Sequence, residues 1–372
     1  MASRAGSFID VMPANGVPVH GLLCYCRAGF EPELAAELTT RAAAAGVGGY
    51  ARTERGSGYV VFAGDNGDTL SRVLPWRGLI FARQKLVLLA ELRGLDAKDR
   101  ITPIAAVLAD GFANTGRFGM LLVEHPDSDA GKPLAGLARS FGNALRPALR
   151  KQGLLSTRDD EYLPRLHVVF VDGDHAFLAS SHPLDSSPWP LGIPRLRVHA
   201  EAPSRSALKL EEALLVLLDE DERKLLLRDN MQAADLGAAP GGWSWVLMRH
   251  GMKVTAVDNG PLRQNLLDSG RVDHLRADGF SWQPKQMLDW MVCDMVEQPR
   301  RVAARMAEWF REGWCRQAVF NLKLPMKKRW DETTLCLDLF QQQAQRPLTI
   351  RARQLYHDRE EITVFAAIER NR

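Results

Sequence analysis

The sequence predicts an α/β protein: a doubly wound sheet in the C-terminal half, preceded by a mixed α+β region. Three observations predict it. Beyond residue 204, apolar runs of strand length alternate with helical segments, the pattern of a parallel sheet with helices on both faces. One strand runs into a glycine-rich turn, Gly237-Ala238-Ala239-Pro240-Gly241-Gly242, that opens a helix, and such sheets bind ligands beyond the C-terminal ends of their strands. Pro183, Pro188, Pro190, Pro194 and Pro203 crowd a stretch that no regular helix tolerates. The expected organisation is therefore an α+β region over 1–181, a proline-rich linker over 182–203 and the sheet domain over 204–372.

In the first half, Gly21–Cys26 is apolar and strand-like, and Ala28–Ala45 has helical spacing and high alanine content. Tyr59–Ala63 reads as a strand, Leu79–Leu92 as a longer one and Ile101–Ala109 as a helix. Gly119–Glu124 is strand-like, Leu134–Gln152 is helical, and Leu166–Ala179 predicts two strands joined across Asp172-Gly173-Asp174. In the second half, Ser206–Leu218 is a helix, Ala233–Leu236 a short buried strand and Trp243–Arg249 a helix. Strands follow at Lys253–Val257, His274–Ala277, Leu288–Cys293 and Ala318–Leu322, with a helix at Ala303–Arg311. A helix at Leu335–Gln345 and strands at Thr349–Tyr356 and Ile362–Ile368 complete the pattern.

Composition excludes several classes. Apolar residues make up 46% of the 372 and charged residues 25%, enough to build cores without staples. The formal net charge of +3 does not by itself imply nucleic acid. The five cysteines, Cys24, Cys26, Cys293, Cys315 and Cys336, form no CxxC pair and offer no four-ligand zinc set. They read as reduced thiols of a cytoplasmic protein, and no metal is expected. Residues 1–18 read as a loose leader without the apolar core of a signal peptide. No apolar run of about 18 residues marks a membrane span.

The glycine turn lacks the GxGxxG spacing of dinucleotide sites and the Gly-Lys-Ser/Thr of a P-loop, so a pyrophosphate is not its expected ligand. Asp235, just before the turn, would repel phosphate and suit a cation. S-adenosylmethionine carries a sulfonium and an ammonium and fits that chemistry. Asp258 ends the next strand, where such folds bind ribose hydroxyls. Asp278 ends the third, where a carboxylate accepts a hydrogen bond from an adenine amino group, and Asp294 ends the fourth. One aspartate at a strand end is ordinarily a cap or turn residue; four after successive strands point to a shared ligand.

Lys323 follows the fifth strand in Asn321-Leu322-Lys323, Lys209 lies in the helix before the first strand, and Glu361 starts the last. Methylating a ribose 2′-hydroxyl requires a base that draws off the proton as the oxygen attacks. A lysine serves only when neutral, and burial with a neighbouring cation such as Lys209 would lower its pKa toward that state. Asp294 and Glu361 would orient the amines. Direct displacement needs alignment rather than an enzyme nucleophile or a metal. A single lysine after a strand is more often solvated or ion-paired, and spacing does not show that the four groups converge.

Lys209, Asp294, Lys323 and Glu361 resemble the Lys-Asp-Lys-Glu tetrad of the FtsJ-like RNA 2′-O-methyltransferases. The strings SRSALKLEEA, DLGAAPGGWSW, VDNGP, DGFSW, WMVCDMVEQP, GWCRQAVFNLKLPMKKR and RQLYHDREEITVF are similar to those of one bacterial family, RlmM. The resemblance covers about 204 to 368 and extends to YCRAGFEPELAAEL near the N-terminus. It implies a Rossmann-like class I methyltransferase domain behind a ferredoxin-like, THUMP-type RNA-binding region. It implies S-adenosylmethionine as cofactor, held by Ser206, Ala239, Pro240, Gly241, Gly242, Asp258, Asp278 and Asp294, with Lys323 as proton acceptor; Asp235, Gly237 and Trp243 in and beside the same turn join them as cofactor-binding candidates. The implied partner is 23S ribosomal RNA, the implied target its cytidine 2498, and the implied state a cytoplasmic monomer.

Six basic residues, Lys132, Arg139, Arg146, Arg150, Lys151 and Arg158, follow one another without an intervening Asp or Glu. On a helix Arg139, Arg146 and Arg150 share one face, a stripe suited to phosphates; a solvated helix face is the plainer reading. Lys327, Lys328 and Arg329 lie close to Lys323 and suit the backbone of a target nucleotide. Trp243 and Trp330 are candidate stacking platforms, with core packing the stronger reading for Trp243. Two rivals remain. A base methyltransferase of this fold would resemble Asn/Asp-Pro-Pro-Tyr/Phe after the fourth strand, where this chain has Asp294-Met295-Val296-Glu297. A non-enzymatic RNA-binding protein would not require an intact tetrad.

Overall fold

The computed structural model describes residues 20–112 and 116–369; the leader expected at 1–18 lies outside the described residues. The chain forms two compact units that divide between Ile193 and Pro194. Each is built on its own seven-stranded sheet.

The first unit opens with β1 (Gly21–Tyr25), α1 (Glu31–Ala44), β2 (Tyr50–Thr53), β3 (Tyr59–Ala63), α2 (Gly67–Val73) and β4 (Gln84–Leu92). β1 pairs antiparallel with both β3 and β4, giving the ferredoxin-like order β2-β3-β1-β4. The sheet continues through α3 (Ile101–Phe112), β5 (Met120–Glu124), α4 (Ala135–Lys151), β6 (Arg165–Phe170) and β7 (Ala176–Ser181), which add β7-β6-β5 beside β4. Alternate residues of the strands share a face, so Leu23, Tyr25, Val61, Ala63, Leu86 and Leu88 fall into one buried cluster.

Two expectations change here, and two elements appear that none anticipated. The strand expected over Leu79–Leu92 begins only at Gln84. Before it, the Ile80 and Phe81 N–H groups donate to the Glu37 carboxylate on α1, at 2.7 and 2.9 Å, so that backbone is satisfied without a ladder. β2 is a short, partly exposed strand and α2 a two-turn helix capped by Asn66; neither carries a long periodic signal. The proline-rich connection is not free along its length. Asp185 pairs with Lys85 and accepts the Trp76 N–H at 2.7 Å. Ser187 donates its N–H to Gln84 at 2.9 Å, and Leu191 donates to Glu124 at 2.7 Å.

The second unit begins with α5 (Ala207–Leu217) and α6 (Glu220–Leu226). The sheet sequence is β8 (Gln232–Leu236), α7 (Gly242–Arg249), β9 (Lys253–Val257), α8 (Gln264–Leu267), β10 (Val272–Leu275), β11 (Leu288–Cys293), α9 (Pro299–Arg311), β12 (Cys315–Lys323), α10 (Arg329–Ala344), β13 (Leu348–Arg353) and β14 (Glu361–Ile368). The order is β10-β9-β8-β11-β12-β14-β13. β10, β9, β8, β11 and β12 run parallel. β14 is antiparallel to both of its neighbours, so the sheet is mixed rather than parallel throughout. Only residues 354–360 join β13 to β14, too few for a crossover helix, and strands so joined form a hairpin.

On one face, Leu210, Leu214, Trp243 and Leu247 pack with Val254, Trp290 and Val292. Elsewhere Phe340 of α10 meets Phe310 of α9 and Phe320 of β12 edge-on or tilted. The third strand is Val272–Leu275 rather than His274–Ala277; it lies at the sheet edge, where exposure blurs the apolar signal. The chain leaves β8 toward β9 and β10 and returns on the other side at β11. The point where the order reverses therefore lies between β8 and β11, at whose C-terminal ends ligands of such sheets bind.

Candidate active site

The glycine turn caps β8 at this reversal. Gly237 and Gly241 adopt positive φ, +76° and +111°, where a side chain is strained. A Cβ at Gly241 would stand 2.1 Å from Leu266, and one at Gly242 would stand 2.4 Å from the Ser206 hydroxyl. The turn thus requires glycine for conformation and for close approach. Asp258, just past β9, accepts the Ala239 N–H at 3.0 Å and the Gly260 N–H at 2.7 Å. Its carboxylate fixes the turn and retains lone pairs for a ligand hydroxyl. Ser206 shares a 2.6 Å hydrogen bond with Ser204.

Two residues flanking the turn, Asp235 at the end of β8 and Trp243 at the start of α7, face inward. Asp235 is 1% exposed and accepts the Ser244 hydroxyl proton at 2.7 Å. Burial pushes its carboxyl up to about 7, partly offset by the Ser244 bonds. Trp243 is buried and donates its indole N–H to the Ser206 carbonyl at 3.0 Å, pinning the start of α5 to α7. Both side chains therefore build the turn from beneath. Asp278 stands three residues past the end of β10, exposed, in a turn where it accepts the Phe280 N–H at 2.9 Å.

Lys209, Asp294, Lys323 and Glu361 converge. Asp294 receives Lys323 Nζ at 2.5 Å on one oxygen and Lys209 Nζ at 3.2 Å on the other. Glu361 contacts Lys209 at 2.6 Å and pairs with Lys323 as well. Each carboxylate thus bridges both ammonium groups in a closed ring. Asp294 directly follows Cys293, the register partner of Leu236, so the ring adjoins the glycine turn.

Charge within the ring corrects one expectation. Burial works against the Lys323 ammonium, yet Asp294 and Glu361 outweigh it and hold its pKa above the ordinary lysine value. The lowering expected from Lys209 is not realised, because two carboxylates stand closer to Lys323 than any cation. Burial likewise works against the Asp294 carboxylate, but Lys323 and Lys209 hold its pKa below the usual range. All five cysteines are buried and unpaired, and burial pushes Cys293 beside the ring up to about 12.

The basic residues divide. Arg139 and Lys151 are exposed. Arg146 and Arg150 both pair with Asp159, at 3.3 and 3.0 Å, and also donate to the Leu121 and Ser156 carbonyls. They clamp a loop rather than present a free stripe. Lys327 and Lys328 are exposed, whereas Arg329 pairs with Glu360. Trp330 lies partly buried in the first turn of α10.

Residues that the spacing did not single out complete the site. Asn321 donates its amide to Asp294 at 2.9 Å and receives Thr363 at 2.7 Å. Each lies two residues from a tetrad member on its own strand, and so on the same face; that period was the available signal. Met295 packs against the turn, where a Cβ on Gly237 would come within 2.5 Å of it. Glu212, one turn beyond Lys209 on α5, accepts the Tyr356 and His357 N–H groups at 2.8 and 2.9 Å.

A sheet of this order with a glycine turn at its reversal point is of Rossmann type, and the class is given by residues 202–345, which match the FtsJ-like methyltransferases. Residues 19–86 match the RlmM ferredoxin-like domain, and residues 99–182 match the N-terminal region of ribosomal RNA large subunit methyltransferase M. Ribosomal RNA large subunit methyltransferase M of Xanthomonas campestris pv. campestris strain B100 is 71% identical over 346 residues, covering 93% of this chain and 99% of the relative. Its counterpart from Stenotrophomonas maltophilia strain R551-3 is 70% identical over 347 residues, covering 93% and 97%. The chain belongs to the RlmM family of ribosomal RNA large subunit methyltransferases. Among solved structures, "a possible methylase" from Clostridium difficile 630 aligns with a TM-score of 0.37 and 11% identity over 95% of this chain and 99% of that one. Among the described residues no cluster could hold a metal ion, and no helix is long and apolar enough to cross a membrane.

Proposed function

We propose that this chain transfers the methyl group of S-adenosylmethionine to the 2′-hydroxyl of a cytidine ribose in 23S ribosomal RNA. The observation that carries the reading is the closed ring of Lys209, Asp294, Lys323 and Glu361 beside the glycine turn. The donor set fits the cofactor: Asp258 for ribose hydroxyls, Ser206 and the tight backbone of the turn for close approach, and Asp278 exposed for an amino group. When bound, the cofactor supplies an electrophilic methyl group.

Lys323 accepts the proton of the 2′-hydroxyl as the oxygen attacks. It must be neutral to do so, and the unliganded ring favours its ammonium. A cationic ligand in the pocket adds positive charge beside that ammonium and shifts Lys323 toward its neutral form. Lys209 keeps both carboxylates bridged while Lys323 changes charge. Asp294 and Glu361 hold the Lys323 nitrogen from two sides and limit its rotation, which is the alignment that displacement requires.

The first unit, with its ferredoxin-like start and exposed Arg139 and Lys151, serves in this reading as the THUMP-like part that recruits RNA. Lys327 and Lys328, just past Lys323, steady the backbone of the target nucleotide. The protein acts as a cytoplasmic monomer without a metal. Mass-spectrometric mapping of ribose methylation in 23S RNA from cells with and without the gene tests the function. One 2′-O-methylcytidine disappears in the deletion strain; an unchanged ribose-methylation map defeats the reading.

A further inference from the structure

We propose that Glu212 is a positioning residue for methyl transfer: it locks α5 against the connection between β13 and β14 and so sets Lys209 in the tetrad. The inference rests on the tetrad reading above. Three tetrad members are placed by the sheet. Asp294 directly follows β11, Lys323 ends β12 and Glu361 opens β14, and these strands are joined by ladder pairing. Lys209 alone comes from a helix, which no ladder ties to the strands.

The apolar face of α5 packs through Leu210, Leu214 and Leu217, but apolar burial is non-directional and leaves the axial and rotational setting of a helix loosely defined. Glu212 supplies the direction. It lies three residues beyond Lys209, one turn along the same side of α5. One carboxylate oxygen accepts the Tyr356 N–H at 2.8 Å, and the other accepts the His357 N–H at 2.9 Å and stands 2.6 Å from His357 Nδ1. The side chain is 2% exposed, and a buried carboxylate holding several N–H donors makes strong, geometrically strict contacts. Tyr356 and His357 lie five and four residues before Glu361. One helix therefore delivers Lys209 to Glu361 at 2.6 Å and, a turn later, grips the segment leading into Glu361. Glu212 touches none of the proposed reacting groups.

A second tie supplies a control. Arg351 of β13 donates to the Leu217 carbonyl at 2.7 Å and pairs with Glu222 at 2.6 Å. Leu217 is eight residues beyond Lys209, about 12 Å along the helix, so this tie fastens the far end of α5.

All variants are made in the full-length protein. In Glu212→Gln an amide nitrogen faces backbone N–H donors, and exchange of the Tyr356 and His357 amide protons is expected to accelerate; unchanged exchange overturns the grip. Its kcat is expected to fall about tenfold, with cofactor affinity and KM for RNA unchanged, because alignment rather than binding is loosened. The pH profile gives the sign. Lys323 is faced by Asp294 and Glu361, with Lys209 across both and the neutral Cys293 thiol beside them. If Lys209 withdraws, both carboxylates act on Lys323 alone, and the rise of kcat moves to higher pH. Loss of the Glu212 charge without movement would shift it to lower pH, and that outcome, or wild-type kcat, overturns the positioning role. Glu222→Gln is expected to lower the melting temperature and leave kcat and its pH profile unchanged; an equal kcat loss there means general docking only and overturns the assignment. If Glu212→Gln does not fold, Glu212→Asp, which keeps the charge and retracts it by one methylene, is expected to shift the same readouts in the same directions. Full activity in Lys323→Ala would overturn the tetrad reading while leaving the exchange result standing, so the two failures are distinguishable.

Discussion

Lys323 and Glu361 face each other across the end of the antiparallel β12–β14 pair. Asn321 and Thr363 are partners two residues further in. The proposed reaction centre is therefore written into strand register. The last residue of one strand can adjoin the first residue of its neighbour only if the two run antiparallel, which is why β14 must reverse direction. A slip of one residue would turn all of these side chains to the opposite face.

Removing Lys323 tests that arrangement. Lys323→Ala is expected to abolish methyl transfer while leaving S-adenosylmethionine affinity nearly unchanged, because in the proposed mechanism the amine handles a proton and not the cofactor. Calorimetry and a tritium-transfer assay measure the two separately, and full activity defeats the mechanism. The wild type carries a linked expectation. Lys323 must lose its proton, and the carboxylates hold its pKa above the ordinary value, so kcat rises with pH through the neutral and alkaline range. A rate that falls over that range contradicts a lysine base.

Asp258→Ala is expected to weaken cofactor binding about 10- to 100-fold, the effect of losing one or two hydrogen bonds to a charged group. Part of the loss arises within the protein, because Asp258 also accepts the Ala239 and Gly260 N–H groups. Asp258→Asn should not restore binding, since its amide nitrogen would face one of those donors. Titration calorimetry on both variants checks this, and unaltered affinity removes the ribose assignment.

Legibility followed the range of the forces involved. Lys253–Val257 and Leu288–Cys293 read correctly because their apolar patterns are local, and so did the glycine turn. The capping box of α6, Asp219 with Glu222, was equally local and went unread. Long-range effects could not be read. Glu37 binds the backbone at Ile80 across 43 residues, and Asp159, just outside the basic run, takes up Arg146 and Arg150. The Lys323 pKa moved opposite to expectation because its sign depends on two carboxylates in different elements. Tetrad residue types were visible in the chain; their closure into a ring needed the antiparallel β14.

Asp235 predicts a pH dependence of stability. Its folded pKa is raised from 3.8 to about 7 by burial, so the folded state holds a proton that the unfolded state has released. The sign follows: stability from this group is fully present below about 4 and is lost as pH rises toward 7. Asp235→Asn keeps the buried shape and cannot ionise. Its stability advantage over wild type should grow across that window and level off above it, reaching at most about 4 kcal/mol. Thermal melting of both proteins from mildly acidic to mildly alkaline pH measures the difference, and a constant offset would show that Asp235 stays ionised.

The exposed and the committed basic residues should behave differently toward RNA. Lys327 and Lys328 are exposed beyond β12, so neutralising both would remove the proposed phosphate contacts without touching the fold. Lys327→Ala with Lys328→Ala should lower kcat/KM for RNA, keep cofactor affinity, and reduce the slope of log affinity against log salt by about one per charge lost. Arg146 and Arg150 spend their guanidinium groups on Asp159 and on two carbonyls. Replacing them should lower the melting temperature of the protein and change the salt slope little. RNA-binding isotherms at several salt concentrations, beside melting curves, separate the two classes. A salt slope that drops for the Arg146 and Arg150 variants and holds for the Lys327 and Lys328 variants would relocate the RNA contact surface to α4.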